Sequence, residues 1–477
     1  MRLLVVSNRG PIREQEDGAF TRSTGGLAAA LEPVLTEGGG TWLWQETEDA
    51  AARASKQGAL PRYGTAFAQV PEQARAGFYE GFSNDLLWPL LHSFHPTINV
   101  SQAPWDDYVT ANRAFAQEAL KKLRGHDAVW VHDYHLMLVP QLIRERAEAR
   151  IGWFCHVPWP NVDLLRIVPW RSELLEGLLG ADVIGFHTEG FATNFLECVA
   201  KLTRARVDHR RRLISWRGRL IDVAVAPIGI DVATFDAVAN RPGCREQVAE
   251  LSKAVGGRRM VLGVDRLDYT KGILERMNAY KLWLERNPGI EKEVTFVQIM
   301  VPSRTGVSAY QTLKERVDEI VGQVNGRFAT TGQVPIHYLY RNFDRADLVA
   351  HYRAADVALV TPLRDGMNLV AHEYVASRVD DDGVLILSEF AGAAEHLDSA
   401  LIVNPYDHDD VARALSRAIR MPEAEQRDRI GRLKSRVHNL DVHRWADGFR
   451  AKLARIDSSR LPRRGRRSTS LRAVAAE

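Results

Sequence analysis

Asp365, Gly366 and Glu373 stand in the stretch TPLRDGMNLVAHEY, Thr361–Tyr374, and their types suit the handling of a phosphorylated polyol. The Asp365 carboxylate can accept hydrogen bonds from sugar hydroxyls, Gly366 permits a tight turn, and Glu373 on the first turns of a following helix can hold a diol. Free amides at the start of that helix suit an anionic phosphate. The same residues would also serve a plain turn, with the aspartate as helix cap and the glycine relieving strain. A second group lies in VDRLDYTKG, where Arg266 and Lys271 flank a turn into a helix. Such a pair could clamp a diphosphate leaving group and neutralise the charge that grows as a glycosidic bond breaks. Single cations at such junctions are usually surface residues.

Two more motifs follow short apolar runs. HDYH, His132–His135, carries Asp133, and HVPWP, His156–Pro160, carries His156. If their strands are parallel neighbours, both side chains reach one rim, where Asp133 could orient an acceptor hydroxyl and His156 could bond a donor sugar. A helix cap and a satisfied core histidine remain the alternatives. His132, His135 and His156 lack the helix-spaced pattern of a metal site, and no D-x-D follows a strand, so no metal is expected. Near the N-terminus, SNR and TGG bracket a loop. Gly25 and Gly26 allow close backbone approach and Arg9 offers a fork for a phosphate monoester. No G-x-G-x-x-G marks a dinucleotide site.

These residues need strand ends to hold them, and the sequence alternates strand-like and helix-like segments throughout. The pattern predicts strands at 3–7, 41–45, 128–131, 151–155, 183–187 and 221–227, with helices at 26–36, 105–124, 135–147, 171–179 and 191–202. In the second half it predicts strands at 260–264, 294–300, 336–340, 354–360 and 384–387. Helices are expected at 246–254, 272–285, 309–324, 346–353 and 367–377, and over most of 409–453. Residues 48–101 read as insertions and short helices beside a cleft. The expected fold is α/β, two facing Rossmann-like doubly wound domains over residues 1–228 and 229–457, with the last helices packing back on the first. Residues 458–477, with Arg460, Arg463, Arg464, Arg466, Arg467 and Arg472 among Ser, Pro and Gly, read as a disordered solvated tail.

At 477 residues the chain exceeds one ordinary core. Its 63 Lys and Arg nearly balance 60 Asp and Glu, which excludes a strongly basic nucleic-acid binder. Cys155, Cys198 and Cys244 show no metal or redox spacing and suit a reducing cytoplasm. No bilayer-crossing stretch and no leader pattern is read. A cytoplasmic homo-oligomer is the expectation.

Taken together, the motifs resemble the trehalose-6-phosphate synthase family of retaining GT-B glycosyltransferases, family 20, over about Leu3–Ala451. The matching stretches are SNRG, TGGL, FSNDLLWPLLH, VHDYHLMLVP, HVPWP, PIGID, DRLDYTKG, NGRFATTGQVPIHYL, TPLRDGMNLVAHEY, LSEFAGAAEHL and ALIVNPYD, in that order. The resemblance implies transfer of glucose from a nucleoside diphosphate glucose, usually UDP-glucose, to glucose 6-phosphate, with osmoprotection as its setting. It places Arg9, Tyr79, Trp88, Asp133 and Arg304 at the acceptor. It places Gly25, Gly26, His156, Arg266, Lys271, Phe343, Asp365, Gly366, Met367, Asn368, Leu369, Val370 and Glu373 at the donor. Asp133, His156, Arg266, Lys271 and Asp365 would carry the catalysis by a front-face route, in which the departing phosphate takes the acceptor hydroxyl's proton and no cofactor is required. His372 stands where the family commonly has lysine, and Trp159 where it often has phenylalanine. Glucosylglycerol-phosphate synthesis on glycerol 3-phosphate and a non-catalytic sugar-phosphate sensor are the competing expectations. A fused phosphatase is not expected, since the chain ends soon after the matching region.

Overall fold

The computed structural model describes residues 1–15, 18–23, 26–94, 100–303 and 308–456. Gly25, Arg304 and the tail 458–477 lie outside the described residues.

The apolar run Leu3–Val6, buried along its whole length, is the third strand of a nine-stranded sheet. It pairs in parallel with Gly40–Gln45 on one side and with Ala128–His132 on the other. The strand order therefore reverses at Leu3–Val6, and the loops beyond its carboxyl end open a crevice. Arg150–Phe154, Val183–Phe186 and Arg219–Val225 extend the sheet in parallel on the side of Ala128–His132. Leu213–Trp216 and Arg206–Asp208 then add antiparallel strands, and Gly64–Ala68 forms the opposite edge. These last three strands are absent from the sequence expectation. They are three to five residues long and only partly buried, so none shows the continuous apolar run of a fully buried strand.

The second sheet is parallel throughout, in the order Ile336–Tyr340, Val294–Val301, Arg259–Arg266, Val357–Val360, Val384–Ser388, Leu401–Val403. Its reversal falls between Arg259–Arg266 and Val357–Val360. The residues that follow these two strands are Leu267–Lys271 and Thr361–Asp365, so the topology brings the two donor-like motifs together. Two expected elements are corrected. The expected helix 135–147 divides into a single turn at Tyr134–Leu136 and a helix at Val139–Arg144, because Pro140 suits only a first helical turn. The expected strand 354–360 begins only at Val357, since helix Arg345–Ala354 runs further than its apolar pattern suggests.

The final helix, Val442–Ala454, packs against the first sheet although it follows the second in sequence. The Phe449 ring stacks on Trp130 at 4.7 Å and meets Phe154 edge-on at 5.6 Å, while Trp445 lies 4.9 Å from Trp130. Gly152 in the adjacent strand makes this possible: a Cβ there would lie 2.6 Å from the Phe449 ring. Phe449→Ala should therefore cost about 3–5 kcal/mol of stability, measured by denaturant unfolding followed through tryptophan fluorescence.

Candidate active site in the cleft

The C-terminal face of the second sheet supplies the most constrained part of the cleft. Lys271 ends a short turn, Tyr269–Lys271, and its Nζ bonds Asp365 Oδ2 at 2.5 Å with both side chains largely buried. Beneath this pair Arg276 is wholly buried. It bonds the Asp265 carboxylate, Thr361 Oγ1 at 2.9 Å, Gln298 Oε1 at 3.1 Å and the Lys271 carbonyl at 3.3 Å. One guanidinium thus ties together the ends of three neighbouring strands and the Lys271 turn. Burial pushes the Asp265 carboxyl up, and Arg276 works against that. Arg276 is missed from sequence because helix interiors with a lone arginine are normally solvent-facing.

Asp365 is held by more than Lys271. Asn368 Nδ2 donates to Asp365 Oδ2 at 3.1 Å, and the Asp365 backbone pairs with Phe390 and Gly392. Burial pushes its carboxyl up, but Lys271, His92 and Arg266 together outweigh burial and hold it below the usual range. His92 is a second residue that sequence reasoning passes over. It is buried, its Nδ1 lies 2.8 Å from the Trp88 carbonyl, and burial depresses its pKa to about 4.

Gly366 carries a different constraint from the one expected. Its backbone does not adopt the left-handed conformation; that falls to Asn368, at φ 71°. What requires glycine is space, since a Cβ on Gly366 would stand 2.1 Å from the His156 carbonyl oxygen of the other lobe. A Cβ on the neighbouring Gly392 would likewise meet the Gly366 carbonyl at 2.0 Å. The Asp365 turn is therefore stacked, backbone on backbone, between the lobes. Gly26 approaches Leu369 across the same seam.

On the facing lobe, Asp133 follows strand Ala128–His132 with φ 73° and ψ 171°, and its side chain caps no helix. Its Oδ1 accepts the His156 amide at 3.3 Å, and its carbonyl accepts Trp153 Nε1 at 3.2 Å. A non-glycine residue held at positive φ stores strain, as functional turns do. His156 pairs through Nε2 with His132 Nδ1 at 3.0 Å. The Arg9 guanidinium bonds the Tyr79 hydroxyl and lies 5.2 Å above its ring. From there a run of rings crosses to the second lobe. Tyr79 stacks on His135 at 5.8 Å, His135 meets Tyr134 at 4.0 Å, Tyr134 meets Trp88 at 5.8 Å, and the Arg266 guanidinium sits 5.9 Å over Trp88.

The described residues of the Asp365, Lys271, Asp133, His156 and Arg9 groups are thus linked across one seam. Phe343 is buried beside Arg341 and His351, in the apolar cluster that also holds Met367. Glu373 Oε2 accepts the Tyr352 hydroxyl at 2.8 Å, and burial raises its pKa to about 7. Met367 is buried, and the helix Leu369–Ser377 begins at Asn368 with no side-chain cap, leaving the Leu369 and Val370 amides facing its N-terminal end. His372 is fully buried, and burial lowers its pKa to about 4, so it is neutral rather than partly charged. Trp159 is a core residue among Trp153, Phe186 and Phe195. Among the described residues no three His, Cys, Asp or Glu side chains group as metal ligands, and no helix is long and apolar enough to cross a membrane.

The family model described as glycosyltransferase family 20 matches residues 1–455. The chain belongs to that family. It is 42% identical over 465 residues to a trehalose-6-phosphate synthase of Mycobacterium sp. strain KMS, covering 94% of each chain. It is 41% identical over 478 residues to the bifunctional trehalose-6-phosphate synthase/phosphatase of Thermoproteus tenax, covering 96% of this chain but 64% of that protein. Among solved structures it resembles trehalose-6-phosphate synthase from E. coli bound with UDP-2-fluoro glucose, with TM-score 0.86, 36% identity and coverage of 96% and 100%. It also resembles the UDP-forming synthase from Burkholderia xenovorans in complex with glucose-6-phosphate, with TM-score 0.86, 34% identity and coverage of 95% and 100%. The fold is accordingly that of the family 20 glycosyltransferases.

Glu373 has a consequence for stability. A carboxyl raised from 4.5 to about 7 in the folded chain stabilises it below pH 4.5, and that contribution is lost as pH rises through 7. Wild type should lose roughly 1–3 kcal/mol relative to Glu373→Gln across this window, measured as paired thermal unfolding curves at stepped pH.

Proposed function

We propose that the protein is a retaining α,α-trehalose-6-phosphate synthase, transferring glucose from UDP-glucose to glucose 6-phosphate. The observation that carries this reading is the juxtaposition of the Lys271–Asp365 pair with the Arg9–Tyr79 pair through the bridging rings of Trp88, Tyr134 and His135. One end offers a positioned carboxylate for sugar hydroxyls beside two cations for a diphosphate. The other offers a guanidinium and a phenol for a phosphate monoester, with Trp88 between them.

The chemistry follows from charge. As the donor's glycosidic bond lengthens, negative charge grows on the departing diphosphate, where Arg266, Lys271 and the Leu369 and Val370 amides stabilise it. Asp365 holds the donor glucose and Asp133 the acceptor hydroxyl. The new bond forms on the face where the old one breaks, and the hydroxyl proton passes to the leaving phosphate oxygen. The family resemblance assigns Arg304 with Arg9 to the acceptor phosphate, and Glu373 accepts from the ribose diol. Gly25 and Gly26 give the backbone access to the donor. Charge compensation by protein cations leaves the reading without a metal. A cytoplasmic location and self-association belong to the same reading.

The relatives' bound ligands support this choice, and the acceptor set argues against glycerol 3-phosphate, since three carbons would leave Tyr79 and Trp88 idle. A UDP-release assay crossing UDP-, ADP- and GDP-glucose with glucose 6-phosphate and glycerol 3-phosphate tests it. Wild type should turn over UDP-glucose with glucose 6-phosphate; no turnover with any pair would leave a binding protein instead. Asp365→Ala should abolish transfer, whereas Arg9→Ala should weaken glucose 6-phosphate by about 1.5–3 kcal/mol, read as a raised KM. Matching kinetic profiles for the two variants would reject the division into donor and acceptor ends.

A further inference from the structure

His156 enters the cleft from strand Arg150–Phe154, and one of its ring nitrogens is already committed. Nε2 faces His132 Nδ1 at 3.0 Å, which leaves Nδ1 as the nitrogen able to meet a ligand. Two neutral imidazoles can share that bond in two ways. Either His132 Nδ1–H donates to His156 Nε2, and His156 carries its proton on Nδ1, or the reverse. The choice decides whether His156 offers a ligand a donor or an acceptor.

The surroundings of His132 discriminate. It is wholly buried, and its Nε2 has no hydrogen-bond partner. Two indoles pack beside it, Trp130 at 4.6 Å and Trp445 at 6.3 Å, and the Nε1–H of each is also buried without an acceptor. If His132 carried its proton on Nε2, that N–H would be one more buried donor without an acceptor. If the proton sits on Nδ1, it is used in the bond to His156, and Nε2 is left as a bare lone pair. Unpaired buried N–H groups are the costlier arrangement. The rings facing His156 are Phe154 at 4.9 Å on its own strand, His187 at 5.4 Å and Trp445 at 5.9 Å, and the nearby Asp133 carboxylate engages the His156 backbone amide at 3.3 Å. Burial holds His132 and His187 near pKa 3 and keeps both neutral.

We propose that His132 is a positioning residue that fixes His156 as the Nδ1–H tautomer, so that His156 presents a hydrogen-bond donor to the donor glucose. The identity of the ligand rests on the glucosyl-transfer reading of the cleft; the tautomer does not.

Nitrogen NMR of the full-length chain labelled with 15N-histidine, with His156 assigned by its loss in His156→Asn, reads the protonated ring nitrogen directly. A proton on Nδ1 of both His132 and His156 is expected, and a proton on Nε2 of His156 would overturn the proposal. In the transfer assay, His132→Leu should lower kcat roughly tenfold, the worth of about one neutral hydrogen bond, with the glucose 6-phosphate KM unchanged. His132→Asn, which restores an N–H near the Nδ1 position, should recover most of that loss. Equal kcat for His132→Leu and wild type would count against the proposal. If His132→Leu does not fold, the wild-type spectrum still decides. A wild-type chain that transfers no glucose tells against the reading of the cleft, and the spectrum then judges the tautomer separately.

Discussion

The approach of Gly366 to the His156 carbonyl is the constraint from which the cleft follows. Two peptide groups from different lobes come so near that no side chain fits between them. Such contact is possible only where both backbones are held by their own sheets. Asp365 precedes the contact and His156 forms it, so the donor-side carboxylate and the opposite rim are set relative to each other by main chain. Side chains with many rotamers could not fix that distance as tightly.

Electrostatics then builds outward from this seam. The Lys271–Asp365 pair is largely withdrawn from water, where a lone charge would be costly, and each ion compensates the other until a substrate arrives. Beneath it Arg276 neutralises Asp265 and also takes three neutral acceptors, so the strand ends that carry the pair do not shift when its charges exchange partners. On the acceptor side the cation is exposed instead. Arg9 leans on the Tyr79 ring and hydroxyl, ready to turn toward a phosphate. The donor end is preorganised by burial and the acceptor end by stacking.

Much of this was legible in the residues. The alternation of apolar runs and helical periods gave the parallel strands of both sheets, and TPLRDGMNLVAHEY and VDRLDYTKG met at one strand reversal because both follow central strands. What could not be read were effects of three-dimensional approach. Gly366 looks like a turn glycine in one dimension, yet Asn368 makes the turn and Gly366 makes the contact. Arg276, His92 and His132 carry no local signature, since each takes part in the cleft through partners that only the fold brings to it: Thr361 and Gln298 for Arg276, Asp365 for His92 and His156 for His132. The edge strands Gly64–Ala68 and Arg206–Asp208 were invisible because half-exposed strands lack a continuous apolar run.

The chain passes between the lobes twice, and the two passages lie side by side. The Val442 amide bonds the Ile230 carbonyl at 3.1 Å, and Gly229 lies against the Leu440 carbonyl. A single tether would let one lobe swing in any direction, whereas two adjacent tethers behave as a door hinge with one pin. Any relative movement of the two sheets would have to pass through the paired backbone at residues 229–230 and 440–442.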